Sequence, residues 1–164
     1  MNKFKFKQFK RWLAVLSFVI GIPVAGYAES VEINGLVYEL NATARRAAVT
    51  SYNAASLPAN VIIPETVTNN GNTYSVTEIA DGAFANCTTM ESISIPGCVV
   101  QIGNMNRTVS NLPFFKCTSL KVVRFEDGSE KLKLGYYYSN SDGGLGLFSG
   151  QRRSSVAGLT KIFD

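Results

Sequence analysis

Catalysis by a protein side chain usually needs a histidine, a reactive thiol or a pair of carboxylates. The sequence has 164 residues with no histidine and three cysteines, so Ser-His-Asp and Cys-His arrangements are excluded. Two acidic clusters, Glu78 with Asp81 and Glu126 with Asp127 and Glu130, are the paired carboxylates that glycoside hydrolysis would need. Because charged residues favour surfaces, a solvated loop after a strand explains the cluster at Glu126 better. We therefore predict that the protein is not an enzyme.

Metal and cofactor chemistry has equally few candidates in this sequence. A zinc site needs four ligands, and the chain offers neither a CxxC pair nor a histidine. The segment Asn140–Gly144 is weakly similar to a calcium-binding loop, but it lacks the alternating acids and the distal glutamate of such loops. We interpret it as a flexible turn, and the sequence predicts no metal site and no cofactor.

A run of three tyrosines, Tyr136, Tyr137 and Tyr138, is the remaining candidate for a binding site. Tyrosine offers a large contact area with a polar tip and is enriched at binding hot spots. The alternative, favoured by the tendency of aromatic rings to be buried, is that alternate tyrosines pack on the last repeat of the chain.

The N-terminus has the three parts of a secretory signal peptide. Five basic residues and no acid lie in the first eleven positions, an apolar run follows over residues 12–22, and small residues precede Glu29. The apolar run is short of the roughly 20 residues that span a bilayer. Gly26 and Ala28 suit a signal peptidase, which predicts cleavage after Ala28, export, and no membrane span afterwards.

The positive charge of the chain belongs to this N-terminal segment. The whole sequence has 16 basic and 12 acidic residues, and residues 1–28 hold five of the bases and none of the acids. The remainder therefore has a formal charge of −1, which argues against a nucleic-acid partner.

Strands rather than helices dominate the rest of the sequence. Asn34-Gly35 and Asn70-Gly71 each separate two apolar runs and predict β-hairpins, because both residues of the pair tolerate the positive φ of a type I′ turn. Residues 47–52 and 61–63 predict further strands. A long period of 3.6 residues is lacking, so long amphipathic helices are not expected.

An internal repeat organises the C-terminal part. The segment from Phe84 to Ile95 returns thirty residues later from Phe114 to Phe125, and a weaker third copy with an insertion runs from Phe148 to Ile162. A fixed period of this size indicates stacked units. In the two clear copies the apolar positions predict one shared interior, and they are Phe84, Met90, Ile93, Ile95, Phe114, Leu120, Val123 and Phe125.

These residues resemble the BspA-like leucine-rich repeats of bacterial surface and secreted proteins. The motif positions are filled by Val76, Ile79, Ala83, Phe84, Cys87, Met90, Ile93, Ile95, Pro96, Val99, Ile102 and Gly103. The second unit departs from the motif at Pro113 and Glu126. The resemblance covers residues 31–135 and implies a mainly β fold: a short leucine-rich-repeat solenoid with an N-terminal β-hairpin cap. Residues 1–28 would be the signal peptide, 29–75 the cap, and 76–164 the repeats.

Cys87 and Cys117 occupy equivalent positions of the two units, whereas Cys98 stands outside the equivalence. Stacked units would bring the pair close enough for a disulfide, and export favours oxidation. Cysteines at this place of the family motif resemble small buried hydrophobes, so we expect free buried thiols.

The resemblance implies an exported, non-catalytic module for protein binding or adhesion, located outside the cell or on the bacterial surface, with the periplasm as the alternative location. Its partner would be a protein or glycan at the cell surface. The alternative function is a structural or assembly component without a dedicated ligand. An unpaired edge on the last strand would also favour self-association through the C-terminal repeat.

Overall fold

The computed structural model describes residues 29–106, 109–128, 132–137 and 160–163. The predicted signal peptide, residues 1–28, lies outside the described residues, and the predicted cleavage after Ala28 stays a prediction. Within the described part of the chain there is no α-helix. It contains one short 3-10 helix, Val109–Asn111, and eleven strands: β1 Glu29–Ile33, β2 Leu36–Asn41, β3 Arg46–Tyr52, β4 Asn60–Ile62, β5 Thr66–Asn69, β6 Asn72–Ile79, β7 Ser92–Ile95, β8 Gln101–Asn106, β9 Val122–Phe125, β10 Lys133–Tyr137 and β11 Thr160–Phe163.

The strands form two sheets. The first sheet has the order β1-β2-β3-β6-β8-β10, with β5 paired to β6, and the second has the order β11-β9-β7-β4. From β3 onward the first sheet is parallel, apart from β5, and the second sheet is parallel throughout. The chain alternates between the sheets, so β3 with β4, β6 with β7 and β8 with β9 are successive turns of one winding path.

The two predicted hairpins are present. β1 pairs with β2 and β5 with β6, both antiparallel. Asn34 and Gly35 have φ of 53° and 79°, and Asn70 and Gly71 have φ of 49° and 75°. Positive φ at both central residues is the requirement of the type I′ turn, which matches the twist of the flanking strands. The strands expected at residues 47–52 and 61–63 are also confirmed as β3 and β4.

Between β6 and β8 of the first sheet, aligned residues are separated by fewer positions in the sequence than between β7 and β9 of the second sheet. In the second sheet Ile93 aligns with Val123, which is the thirty-residue interval of the sequence repeat. In the first sheet Ile79 aligns with Ile102, only 23 residues on. The difference of seven residues is taken up between Ile102 and Phe114, where the 3-10 helix lies. The turn that starts at Ile102 is therefore longer than the preceding one, mainly on the side of the 3-10 helix.

The interior between the sheets holds the apolar positions predicted from the repeat. Seven of the eight are buried, with exposed fractions of 2% or less: Phe84, Met90, Ile93, Ile95, Phe114, Leu120 and Val123. Phe125 packs against the same core but is only partly buried, because it lines an open cavity of about 200 Å³. Strand alternation explains the pattern, since residues two apart point to the same side of a sheet.

The last described strand, β11, overlaps the end of the weaker third copy of the repeat. β11 pairs in parallel with β9, and Ile162 lies opposite Arg124. The third copy lacks the cysteine and carries an insertion, so the motif alone does not fix the register of its strand.

Candidate binding face

The outer side of the second sheet is a regular surface on which the side chains of β4, β7 and β9 are arranged in rows. Val61, Ile93 and Val123 are aligned across β4, β7 and β9 and point into the core. The residues beside them therefore point outward. We call this surface the outer face; its two rows are Asn60, Ser92, Val122 and Ile62, Ser94, Arg124.

Side-chain hydrogen bonds satisfy several polar groups of the outer face. Ser92 Oγ donates to Asn60 Oδ1 at 2.7 Å, and Ser94 Oγ donates to Glu126 Oε1 at 3.1 Å. At one end of these strands Lys121 Nζ lies 3.1 Å from Glu91 Oε2, with both side chains more than half exposed. Such an exposed ion pair contributes little to stability. The face is thus polar but largely internally bonded.

An apolar side chain stands out on this surface. Ile62 is 73% exposed, the largest exposed fraction among the large hydrophobic residues described. It borders a shallow depression of about 470 Å³, lined by Asn60, Val61, Ile62, Ser92, Ile93, Ser94, Val122, Arg124 and Glu126. The outer face thus combines an exposed aliphatic side chain with polar groups that bond to one another.

The sequence motif did not single out the outer face. The family pattern names the inward positions and leaves the outward ones unspecified. A signal for them exists all the same: Ser94 and Arg124 are the middle residues of the two apolar-x-apolar triplets at Ile93–Ile95 and Val123–Phe125. Strand alternation places those middle residues outside.

One carboxylate of each acidic cluster, Asp81 and Glu126, accepts hydrogen bonds. Asp81 Oδ1 accepts from the Asn104 backbone amide at 2.7 Å, and Asp81 Oδ2 accepts from Asn104 Nδ2 at 3.3 Å. Burial raises the pKa of Glu78, with smaller contributions from the charges of Asp81 and Glu39. Glu126 accepts from Ser94, and Glu130 lies outside the described residues.

A second depression lies on the outer side of the first sheet. It measures about 350 Å³ and is formed around Ala48, between Glu39 and Glu78. These three residues share one row, because Ala48 aligns with both glutamates. In the residues that the structure describes, no group of three or more metal-ligating side chains occurs.

The three cysteines are free in the structure, as expected. Cys87 and Cys117 are buried, and Cys117 Sγ donates a hydrogen bond to the Phe84 carbonyl at 3.0 Å. Burial, with a smaller contribution from Cys87, raises the pKa of Cys117 to about 12. Cys98 is partly exposed and donates to the Val76 carbonyl at 3.2 Å; burial also raises its pKa.

We expect the thiols to react with iodoacetamide at pH 8 in a fixed order. A raised pKa lowers the thiolate fraction, which is the reactive form, and burial blocks access. In the folded protein Cys98 should be alkylated first and slowly, and Cys117 should stay unmodified. In urea without reductant all three should react, which intact mass spectrometry can count. A single modified cysteine in urea would instead demonstrate a disulfide, and peptide mapping would show whether it joins Cys87 and Cys117.

The tyrosine run is only partly described. Tyr136 and Tyr137 lie at the end of β10, where their backbones align with Met105 and Asn106 of β8. Tyr138 lies outside the described residues. A register shift between Leu134 and Tyr136 precedes the run. The role of the three tyrosines in binding stays a prediction.

With the fold described, the chain can be set beside known proteins. A scan against protein-family models and a search of curated protein sequences gave no match. Among solved structures, it is similar to a leucine-rich cell surface protein of Faecalibacterium prausnitzii, at a TM-score of 0.54 and 25% identity over 82% of this chain. It is also similar to a leucine-rich repeat protein of Bacteroides capillosus, at a TM-score of 0.53 and 18% identity over 82% of this chain.

One of these similar structures is a leucine-rich protein and the other a leucine-rich repeat protein, so the resemblance to leucine-rich repeats seen in the sequence motif is confirmed. The chain covers 30% of the Faecalibacterium protein and 98% of the Bacteroides protein. The fold is accordingly mainly β and shared with leucine-rich repeat proteins. Across the described ranges no helix is long and apolar enough to span a bilayer.

Proposed function

We propose that this chain is an exported, non-catalytic module that binds a protein at the bacterial surface through the outer face of its second sheet. The observation that carries the proposal is the exposed Ile62 beside a depression of about 470 Å³, on a row of strands whose polar side chains bond to one another. Contact there buries an apolar group without stripping an isolated charge of water, which favours association.

The architecture supports a rigid platform for such contact. We infer that the parallel stacking in both sheets is a short leucine-rich-repeat solenoid. Its N-terminal end would be capped by the first hairpin, where Leu36, Tyr38 and Leu40 are buried on β2 and the Asn34-Gly35 turn packs on Ser56 and Leu57. The domain boundaries after residues 28 and 75 belong to the same proposal.

Location at the surface is supported by two separate observations. The first is the basic, apolar and small-residue order of residues 1–28. The second is that one similar structure is that of a leucine-rich cell surface protein. Adhesion is the role we favour over a purely structural one, because a bare assembly element needs no regular exposed face besides its ends.

A binding assay with a matched pair of variants tests this function. Purified protein is titrated by biolayer interferometry against a panel of purified matrix glycoproteins and intact bacterial and epithelial cells. We expect saturable binding to one of them, weakened about tenfold by Ser94→Arg, since a long charged side chain at the centre of the face disrupts complementarity by a few kcal/mol at most. Ser51→Arg, on the exposed side of the first sheet, should bind like the wild type.

Two results would overturn the proposal. One is equal loss of binding by both variants, which would place the contact elsewhere. The other is the absence of binding to every member of the panel together with a solution mass that grows with concentration. That outcome supports the alternative function, assembly at the bacterial surface without a dedicated ligand.

A further inference from the structure

The outer edge of β4 is open in the described part of the chain. β4 is the last strand of the second sheet, with β7 on its other side. The Ala59 carbonyl accepts from Glu91 and Ser92, and the Ile63 amide donates to Ser94. Because alternate residues of a parallel strand bond to the same neighbour, residues 59, 61 and 63 face β7. The backbone amides and carbonyls of Asn60 and Ile62 therefore point to the open edge.

This edge lacks the protection that the first sheet's edge strand β1 has. Open edges are usually guarded by charged side chains. β1 carries Glu29 and Glu32, and Glu29 is bound by Asn69 Nδ2 at 2.8 Å, which draws the second hairpin against it. β4 reads Asn-Val-Ile and carries no charge, and the side chain of its Ile62 is exposed.

We propose that the open edge of β4 pairs with an extended, basic segment of the partner protein by strand addition. The proposal rests on the proposed function and adds how the partner is held. The outward groups of Asn60 and Ile62 would supply backbone hydrogen bonds, and the Ile62 side chain would supply apolar contact beside them.

Because the first sheet projects beyond the second at this end, the open edge of β4 has room for a single strand but not for a second copy of this chain. β3 and β4 belong to one turn of the path, yet the first sheet continues past β3 with β2 and β1. At about 4.8 Å per strand, the first sheet extends about 10 Å further than the second. The sheet end of another copy would meet the β1–β2 hairpin before reaching β4. One extended segment fits in the recess between this hairpin and the edge of β4, which we call the step.

The charged residues around the step indicate the charge that the incoming segment should carry. Glu32, on β1, accepts from Ser56 Oγ at 3.0 Å, just before β4. Glu65 lies three residues after Ile62, and Glu91 donates its amide to Ala59 at 2.7 Å. Of these carboxylates only Glu91 has a basic partner among the contacts described, Lys121. The local charge is negative, which favours lysine or arginine on the incoming strand.

The test uses the ¹⁵N-labelled protein and a synthetic peptide, Lys-Val-Thr-Val-Lys-Val-Thr-Lys. We expect the amide signals of Asn60 and Ile62 to shift along a saturable curve and their exchange with solvent to slow. The same peptide with glutamate in place of each lysine should bind at least about tenfold more weakly, and added salt should narrow that difference.

Two variants locate the contact. Ile62→Pro removes the outward amide without touching the bonds of β4 to β7, and it should weaken the basic peptide about tenfold, the effect of one or two hydrogen bonds and a blocked edge. Ile62→Lys places a charge at the edge and should weaken it comparably, even if the proline variant fails to fold. Ser51→Arg, on the exposed side of the first sheet, should leave peptide binding unchanged.

Several outcomes would overturn strand addition while leaving the binding function standing. Peptide-induced shifts at Ser92 and Arg124 without change at Asn60 and Ile62 would move the contact to the face. Equal binding of the lysine and glutamate peptides would remove the charge argument. Self-association lost in Ile62→Lys would make a second copy the occupant. Partner binding that is lost in Ser94→Arg but unchanged in Ile62→Lys would confine the contact to the outer face.

Discussion

Replacing Phe84 by alanine should lower the free energy of unfolding by about 3–5 kcal/mol, the range for deleting a buried aromatic ring. Phe84 is fully buried and sits at the centre of a stack that joins successive turns of the path. Its ring lies 6.2 Å from that of Tyr52 and 5.5 Å from that of Phe114, with interplanar angles of 14° and 1°. The substitution removes both contacts and leaves a cavity between two turns. Urea denaturation followed by circular dichroism measures the loss.

Phe115 provides the matched control for this substitution. It follows Phe114 directly but is only partly buried, and the Lys116 ammonium lies 5.1 Å from the centre of its ring. Phe115→Ala should cost about 1 kcal/mol, the size of an exposed cation–π contact with modest burial. Similar losses for Phe84→Ala and Phe115→Ala would mean that the stack does not bear on stability.

Replacing Gly97 by alanine should cost about 3 kcal/mol, at the upper end of the range for overpacking. Gly97 and Gly128 lie at the corners of adjacent turns, where the backbones touch. A Cβ at Gly97 would overlap the carbonyl oxygen of Asp127, and a Cβ at Gly128 would overlap the carbonyl oxygen of Gly97. Backbone atoms on both sides cannot move aside as the tip of a side chain can, so the turns must separate.

Gly71→Ala is the control, because open space surrounds that position. Its φ of +75° makes alanine strained by about 1–2 kcal/mol, a cost of conformation rather than of contact. Thermal unfolding should therefore rank Gly97→Ala below Gly71→Ala in stability. The reverse ranking would show that the two corners are farther apart than the structure places them.

Local chemistry made much of this fold predictable from the sequence. Each Asn-Gly pair predicts a turn at its own position, because few residue types tolerate positive φ at two consecutive positions. The apolar positions of the repeat report the core, because one buried face imposes a spacing of two on every strand. These features depend on residues close in sequence, and hairpins and core alike were predicted.

The features that escaped prediction depend on contacts between distant residues. The thirty-residue interval holds from Ile93 to Val123 in the second sheet, whereas the first sheet steps by 23 residues from Ile79 to Ile102, and the motif alone does not assign an interval to a sheet. The contact of Gly97 with Gly128 requires the stacking of two corners. The outer face and the β4 edge are defined by residues that the motif leaves unspecified, so their position becomes evident only when the strands are paired.

The unequal sides of the winding path determine where this chain tolerates changes of length. At the Gly97 corner the backbones of adjacent turns touch, and only Pro96, Gly97 and Cys98 separate Ile95 from Val99. At the opposite side, the segment from Ile102 to Phe114 holds seven residues more than its counterpart from Ile79 to Phe84 while Phe84 and Phe114 remain stacked. The corner at Gly97 thus fixes the spacing of adjacent turns and should not accommodate insertions. The segment between Ile102 and Phe114 already accommodates extra residues and is the place where longer loops can be inserted.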